Sequence, residues 1–296
     1  MVTVETAPVV SVIIPVYNDA DGLRTCLQAL AGQHYPRDRF EVIVVDNNSV
    51  QDIARVCAAF ERVHYPHEQR PGSYAARNKG LSCATGQILA FTDADCIPDA
   101  AWLRSGVAAL KEGADIVGGR VQLFSEAPGS PGLAARYEMA HELRNETLIP
   151  HHNFAVTANL FTTRAVMNAV GDFDASLASG GDHEWGVRAT SQGFDLQYAS
   201  RAVVLHPTRS LGSVIRKAVR VAKGIYENEK RKATVRGMVG YTRYELGLTV
   251  RETTNHLKDS DPMLAAFTAG MHLLEIGIVN LCFLRNQVFN GNAGKS

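Results

Sequence analysis

The sequence predicts an α/β protein: a mostly parallel central sheet flanked by helices, followed by a helical C-terminal extension. Two observations carry the sheet. Across residues 10–121, short apolar runs bounded by polar turns alternate with helical stretches of about ten residues or more, the rhythm of βαβ units. The runs are also nearly continuous in apolar residues, as strands covered on both faces must be. The extension is read from a change of period after residue 210. The chain thus divides into 1–210, an α/β domain, and 211–296, a helical extension.

Val10 to Val16 reads as the first buried strand, and the turn Tyr17-Asn18-Asp19 follows, with Asp19 or Asp21 able to cap a helix to about Leu30. Phe40 to Val45 is the second strand. It ends in Asp46-Asn47-Asn48-Ser49, and Ser49 is placed to cap a helix from Gln51 to Phe60. A short strand near Val63–Tyr65 precedes the turn Gln69–Ser73 and a helix through Thr85. Ile88 to Phe91 is a further buried strand. It delivers Thr92-Asp93-Ala94-Asp95, then a helix from Asp99 to Lys111 and a strand over Ile116–Val121. Beyond the loop Pro128–Gly132 come a helix over Leu133–Arg144, a strand over Phe154–Thr162, and a helix Arg164–Val170 ended by Gly171. A helix opened by Asp182 runs to Gln192. Strands near Leu196–Ala199 and Val203–Leu205 then lead to His206-Pro207.

Composition narrows the function. Thirty basic and thirty acidic residues cancel, so no global charge points to nucleic acid. A hydrophobic content of 46% with 20% charged residues is a globular balance, without the signature of a disordered chain. Five widely spaced cysteines without a CxxC pair argue against structural zinc or a disulfide framework and for a reducing cytoplasm. The segment Met1–Val10 lacks a basic n-region and does not read as a signal peptide.

Chemistry is concentrated where strands end, the edge at which open parallel sheets bind ligands. On an extended chain Asp93 and Asp95 point the same way and can converge on one cation; a simple polar turn is the alternative. Such hard oxygens suit Mg²⁺ or Mn²⁺, ions that usually hold substrate phosphates as well. Asp46 closes its strand where a carboxylate can accept from a base N–H or a ribose hydroxyl. A nicotinamide dehydrogenase is disfavoured because Pro15-Val16-Tyr17-Asn18-Asp19 stands where a GxGxxG loop would be needed.

Taken together, Val12–Asn18, Val44–Ser49, Ala76-Arg77-Asn78-Lys79-Gly80, Thr92–Asp95 and Gly181-Asp182-His183-Glu184 resemble family 2 glycosyltransferases over roughly residues 10–210. The resemblance implies the GT-A fold and an inverting, metal-assisted transfer from a UDP- or GDP-sugar. The acceptor would be a glycan, a lipid-linked or a small-molecule hydroxyl. Carried over by motif, Pro15, Tyr17 and Asn18 border the nucleoside, and Asp46 holds the base with Asn47 beside it. Arg77 and Asn78 lie along the nucleotide, and Asp93 and Ala94 approach the ribose or metal. Asp95 and His206 coordinate the metal, and Asp182 is the catalytic base. Gly181 stands where the family usually has Glu, which leaves Glu184 as a competitor for that role. Gly119 and Arg120 after their strand, with Gly181, His183, Glu184 and Trp185 around the base, would line the sugar or acceptor pocket; for Trp185, packing beneath its helix is the alternative. Two other functions remain. A nucleotidyltransferase making nucleotide sugars would need a glycine-rich, lysine-bearing loop after the first strand, which is absent. A non-catalytic nucleotide-sugar-binding module would need neither Asp182 nor a metal.

In the extension, Leu211, Val214, Ile215, Ala218, Val219, Ala222, Ile225 and Tyr226 recur at helical spacing, with Arg216, Arg220 and Lys223 on another face. Nine Lys/Arg against Glu227 and Glu229 give residues 209–236 a local excess of seven positive charges. That helix reads as a lid bringing Arg209 or Arg216 to the donor, as a contact to an anionic membrane, or as a solvated face. In Pro262–Leu284, apolar runs of thirteen and nine residues flank Glu275, short of the roughly 20 a span needs. A core, dimer or interfacial helix is expected, docking the enzyme peripherally on the inner face of a membrane or on a second subunit.

Overall fold

The computed structural model describes residues 7–127, 129–141, 143–229 and 235–292. Contacts divide the chain into two units. The first comprises Met1–Phe124, Leu143–Ser176 and Gly181–Pro207; the second comprises Ser125–Glu142, Leu177–Gly180 and Thr208–Ser296.

The first unit begins with β1 (Val10–Val16), α1 (Ala20–Ala31), β2 (Phe40–Asp46), α2 (Ile53–Cys57), β3 (Val63–His64), α3 (Ser73–Cys83) and β4 (Ile88–Phe91). It continues through β5 (Ile97–Pro98), α4 (Trp102–Lys111), β6 (Ile116–Phe124), α6 (Asn145–His152), β7 (Leu160–Thr163), α7 (Arg164–Val170), α8 (Gly181–Ser191) and β8 (Leu196–Pro207). The strands form one sheet in the order β3-β2-β1-β4-β7-β6-β8-β5. β1, β2, β3 and β4 are parallel neighbours, as are β6 and β8. β7 runs antiparallel to β4 and β6, and β5 antiparallel to β8. Six of eight strands therefore share one direction, and their C-terminal ends lie along one edge.

Local chemistry sets the boundaries. Asp19 caps α1 by accepting from Gly22 N at 3.0 Å. α2 is shorter than expected and is capped by Asp52 rather than Ser49, whose hydroxyl instead accepts from Asn18 N. The strand expected from Phe154 starts only at Leu160. The amide of Val156 is taken by the Asn145 side chain, and Thr157–Asn159 winds into a 3₁₀ turn. Two expected strands near residues 196–205 are one, β8. Its register shifts between Gly119 and Arg120, where Ala199 and Val203 are successive partners. The amide of Asn159 stabilises that irregularity: Nδ2 donates to Arg120 O and Ala202 O, and Oδ1 accepts from Trp102 Nε1 at 2.9 Å.

The core of this unit fills the faces of β1, β2 and β4 with fully buried apolar side chains, with Trp102 and Phe161 packed at 4.8 Å between centroids. Gly106 on α4 makes that contact possible, since a Cβ there would sit 2.4 Å from the Phe161 ring.

In the second unit, α5 (Leu133–His141), α9 (Leu211–Glu229), α10 (Val235–Lys258) and α11 (Pro262–Asn292) pack as helices. Tyr137, Val214, Ala218, Leu264 and Met271 form its apolar core. α9 buries Val214, Ala218 and Ala222 and exposes Arg216, Arg220 and Lys223, as its period requires. Lys230, Arg231 and Lys232 of the basic stretch, and Met1–Thr6, lie outside the described residues. Arg209, which opens the basic stretch, pairs through Nη1 at 2.9 Å with Glu138, whose side chain is 1% exposed.

Two outcomes are expected. Gly106→Ala should lower stability by roughly 1–3 kcal/mol in urea unfolding despite alanine's higher helix propensity, because the methyl displaces Phe161. The second concerns Glu41, which accepts from Ser11 Oγ, Thr85 N and Thr85 Oγ, with His64 at 3.4 Å. Burial pushes this carboxyl up, but those donors and His64 outweigh it and hold it below its ordinary 4.5. A folded-state value below the unfolded one gives stability that is present above about pH 4.5 and lost as pH falls through the folded value. Glu41→Gln should flatten the acid limb of a stability–pH curve.

Candidate active site

Because β1, β2 and β4 are parallel, the turns after them stand side by side. After β1, Tyr17 is 66% exposed, and Asn18 adopts φ 53°, a left-handed conformation that asparagine tolerates. Asn18 is tied to the turn after β2: its N–H donates to Ser49 Oγ and its Oδ1 accepts from Val50 N. In that second turn Asp46 is buried, accepting from Ser49 N through Oδ1 and from Tyr65 Oη through Oδ2, each at 3.0 Å. A carboxylate has about four acceptor positions, so Asp46 keeps capacity for a ligand donor. Pro15 is half-buried in β1.

Two neighbouring asparagines are engaged differently from the expectation of nucleotide contact. Asn47 donates to Glu68 O and Arg70 O and accepts from Gly72 N, so its side chain braces the loop before α3. Asn78 clasps the backbone of Phe173, donating to its carbonyl and accepting from its N–H. Every polar atom of both amide side chains therefore already has an internal partner.

The loop after β4 is shaped by β5. Ile97 pairs with Leu205 of β8, and this register sets Asp95 beside His206, with Asp95 Oδ2 at 3.5 Å from His206 Nε2. His206 is 1% exposed, and its Nδ1 lies 2.7 Å from Pro207 O. Only an N–H can sit there productively, so Nδ1 carries the proton. With Nδ1 so engaged, Nε2 is the ring atom that faces the Asp95 carboxylate, and the two can offer a nitrogen and an oxygen donor to one cation. Asp93, Asp95, Cys96 and His206 offer one donor atom each, all within 4.8 Å of one another. Burial, with Asp93 and Asp95 close by, pushes the Cys96 thiol well above its ordinary value. It remains protonated and faces Ala158 O at 4.0 Å. The remaining oxygen and nitrogen donors fit Mn²⁺, and the carboxylates fit Mg²⁺. Ala94 between the two aspartates is buried.

Asp93 has a second partner. Arg77, 4% exposed on α3, donates through Nη2 to Asp93 Oδ1 at 2.5 Å. Its Nε is buried without a hydrogen-bond partner, and the guanidinium lies over the Tyr74 ring at 5.6 Å. Tyr74 Oη donates in turn to Asp182 Oδ1 at 3.2 Å, and His183 N donates to the same oxygen at 3.1 Å. Burial, then the charge of Asp182, pushes the Tyr74 phenol above the ordinary tyrosine range, so it stays a donor. Asp182 stands in the first turn of α8, where the helix dipole favours its charge. Gly181 makes room for Tyr74: a Cβ at 181 would lie 2.8 Å from that ring.

Other expected pocket residues divide. His183 is exposed beside Phe154, with ring centroids 5.0 Å apart. Glu184 is engaged by Arg188 at 2.8 and 3.0 Å. Trp185 does not offer a face to an acceptor. It is 1% exposed, donates to Gly171 O and packs on Phe173, because α8 turns that side toward α7. Gly119 is likewise no pocket wall, since a Cβ there would meet Asn159 and Ala202 O at 2.4 Å. Arg120 is exposed. Tyr74 and Asn159 are the residues that sequence reading missed. For Tyr74 the signal was its place one turn before Arg77 on the same helix.

A sheet whose parallel edge carries an Asp-x-Asp loop, paired through a short antiparallel strand with a histidine on the last long strand, is the GT-A arrangement. Known proteins agree. Residues 11–171 match the model of "Glycosyl transferase family 2". Glycosyltransferase AglE of Haloferax volcanii is 40% identical over 225 residues, covering 74% of this chain and 73% of AglE. The pre-mycofactocin glycosyltransferase of Mycobacterium tuberculosis is 31% identical over 68% of this chain but only 43% of its own length. In fold, the chain resembles the mannosyltransferase PcManGT from Pyrobaculum calidifontis, solved with GDP-Man and Mn²⁺, with a TM-score of 0.65 at 18% identity over 96% of this chain and 89% of that one. S. aureus TarS gives a TM-score of 0.54 at 15% identity, over 88% and 90%. The chain belongs to glycosyltransferase family 2, and a nucleotidyltransferase reading falls away.

The two aspartates should separate in a stability measurement. Asp93→Ala leaves a buried guanidinium without its carboxylate and should lower unfolding free energy by roughly 1–3 kcal/mol, whereas Asp95→Ala should stay within about 1 kcal/mol of the parent.

Proposed function

We propose that this glycosyltransferase moves a sugar from a nucleoside-diphosphate donor to an acceptor hydroxyl with inversion, Asp182 acting as the base. The observation that carries this reading is the chain of contacts Asp182–Tyr74–Arg77–Asp93, which ties the carboxylate on α8 to the loop bearing Asp95. Asp182 takes the acceptor proton as that oxygen attacks the anomeric carbon. The bond to the diphosphate breaks on the opposite face, and one carbon–oxygen bond replaces another. Asp95 and His206 would hold a divalent cation, Mn²⁺ or Mg²⁺, which supplies charge neutralisation for the departing diphosphate. Asp46 meets the base, and Pro15, Tyr17 and Asn18 border the nucleoside. Glu184 is a weaker candidate for the base because Arg188 already occupies both its oxygens. The acceptor hydroxyl belongs to a glycan, a lipid-linked glycan or a small molecule. All five cysteines are free thiols, in keeping with a reducing, cytoplasmic setting.

Incubation with a panel of UDP- and GDP-sugars and Mn²⁺ should release nucleoside diphosphate, and chelation should suppress that release. Asp182→Asn should bind donor normally in calorimetry while losing about 10²–10⁴-fold in transfer rate. Near-parental turnover by this variant would overturn the assignment, and donor binding without turnover by the parent would favour a binding module.

A further inference from the structure

The second unit contains a helix pair whose polarity is reversed. Along α10, Glu245, Glu252, His256 and Thr249 point inward. Glu252 Oε2 lies 3.2 Å from His141 Nδ1 on α5 and 3.4 Å from His272 Nε2 on α11. Thr249 Oγ1 lies 3.3 Å from His272 Nδ1, and the Nε2 atoms of His256 and His141 are 2.9 Å apart. The outward arc of the same helix carries Leu246, Val250 and Leu257 beside Arg243, Arg251 and Lys258, all exposed. Tyr244 lies at its margin, 57% exposed. A helix covered by water on that side would show the opposite order.

α11 repeats the inversion. Its polar residues Thr268, His272 and Glu275 face inward, and the latter two line a cavity of about 240 Å³ with Glu245 and Glu252. Glu275, which in the sequence breaks the apolar segment, therefore does not break its outer face. Met263, Leu273, Leu274, Leu281 and Leu284 stand exposed at helical spacing, Met263 and Leu281 at 67% each, and no charged residue interrupts them.

We infer that this outward surface of α10 and α11 docks on an anionic lipid bilayer. Apolar side chains of α11 enter the boundary between headgroups and acyl chains, and Arg243, Arg251 and Lys258 meet lipid phosphates. Charge decides against a second copy. An isologous contact would set this one-signed arc against itself, and no Asp or Glu between residues 243 and 258 faces outward to balance it. The same cations rule out immersion of α10 in the acyl core. Pro262–Leu284 of α11 is by length and composition able to cross a bilayer, but Thr268 and His272 on its inward side are held by His141 of α5 and by Glu252 and Thr249 of α10, which keeps it with α10 at the surface. The inference is independent of the catalytic reading.

Co-flotation of the full chain with phosphatidylcholine vesicles, with and without phosphatidylglycerol, tests it. The parent should float with phosphatidylglycerol vesicles and be released by salt. Arg243→Glu/Arg251→Glu/Lys258→Glu should lower partitioning at least about tenfold, and Leu273→Glu/Leu281→Glu should lower it on both vesicle types. Circular dichroism should be unchanged for both variants, because every altered side chain faces outward. A parent that ignores vesicles, or variants that float like the parent, would overturn the inference. So would a dimer in sedimentation that Leu273→Glu/Leu281→Glu dissolves. Nucleoside diphosphate release, measured in parallel, reports on the active site separately.

Discussion

The pairing of Arg77 with Asp93 is the constraint around which the active-site edge is arranged. A guanidinium 4% exposed needs a carboxylate, and the loop after β4 supplies it at 2.5 Å. Meeting that requirement fixes Asp93 against α3. It also leaves Arg77 lying on Tyr74, whose hydroxyl reaches Asp182 on a helix more than a hundred residues further along the chain. A single buried charge thus couples the loop that would hold the metal to the residue that would accept the proton. Rigidity of this kind is what transfer chemistry requires, since misplacement by about 1 Å costs roughly a hundredfold in rate.

What was legible in the sequence was whatever depends on local pattern. The buried strands at Val10, Phe40 and Ile88 and the carboxylates that end them follow from apolar runs and turn chemistry. The proximity of Asp95 and His206 was legible only through family resemblance. Its physical cause, a two-residue strand Ile97–Pro98 pairing with β8, is too short to leave a periodic signal. Side-chain partners were the least legible. Asn47, Asn78 and Trp185 carry the residue types of a binding site, yet each satisfies backbone groups made available elsewhere in the fold. Whether an amide faces a ligand or a carbonyl depends on tertiary packing, which a motif does not encode. Asn159 is the converse case, an unremarked residue that holds the register shift of the sheet.

The helical unit carries a related lesson about periodicity. Sequence spacing assigns no helix to Val235–Lys258 and no faces to Pro262–Leu284, so it does not say which side of either is inside. The imidazole–carboxylate contacts of His141, Glu252 and His272 settle that, because buried polar groups must find partners and these find one another. An apolar count over Pro262–Leu284 that treats Glu275 as an interruption misjudges the segment, because the carboxylate and the leucines occupy opposite sides.

The irregularity between β6 and β8 has a consequence for how this strand can vary. Side chains alternate faces along a strand, so whatever length lies between the shift at Ala199–Val203 and the end of β8 decides which side His206 presents. The irregularity takes up three residues of β8, Ser200 to Ala202, against none of β6, and regular pairing resumes at Val203. Length can therefore vary within the irregularity, whereas a deletion past it, between Val203 and Leu205, would break the pairing with Ile97 and turn the imidazole away from Asp95.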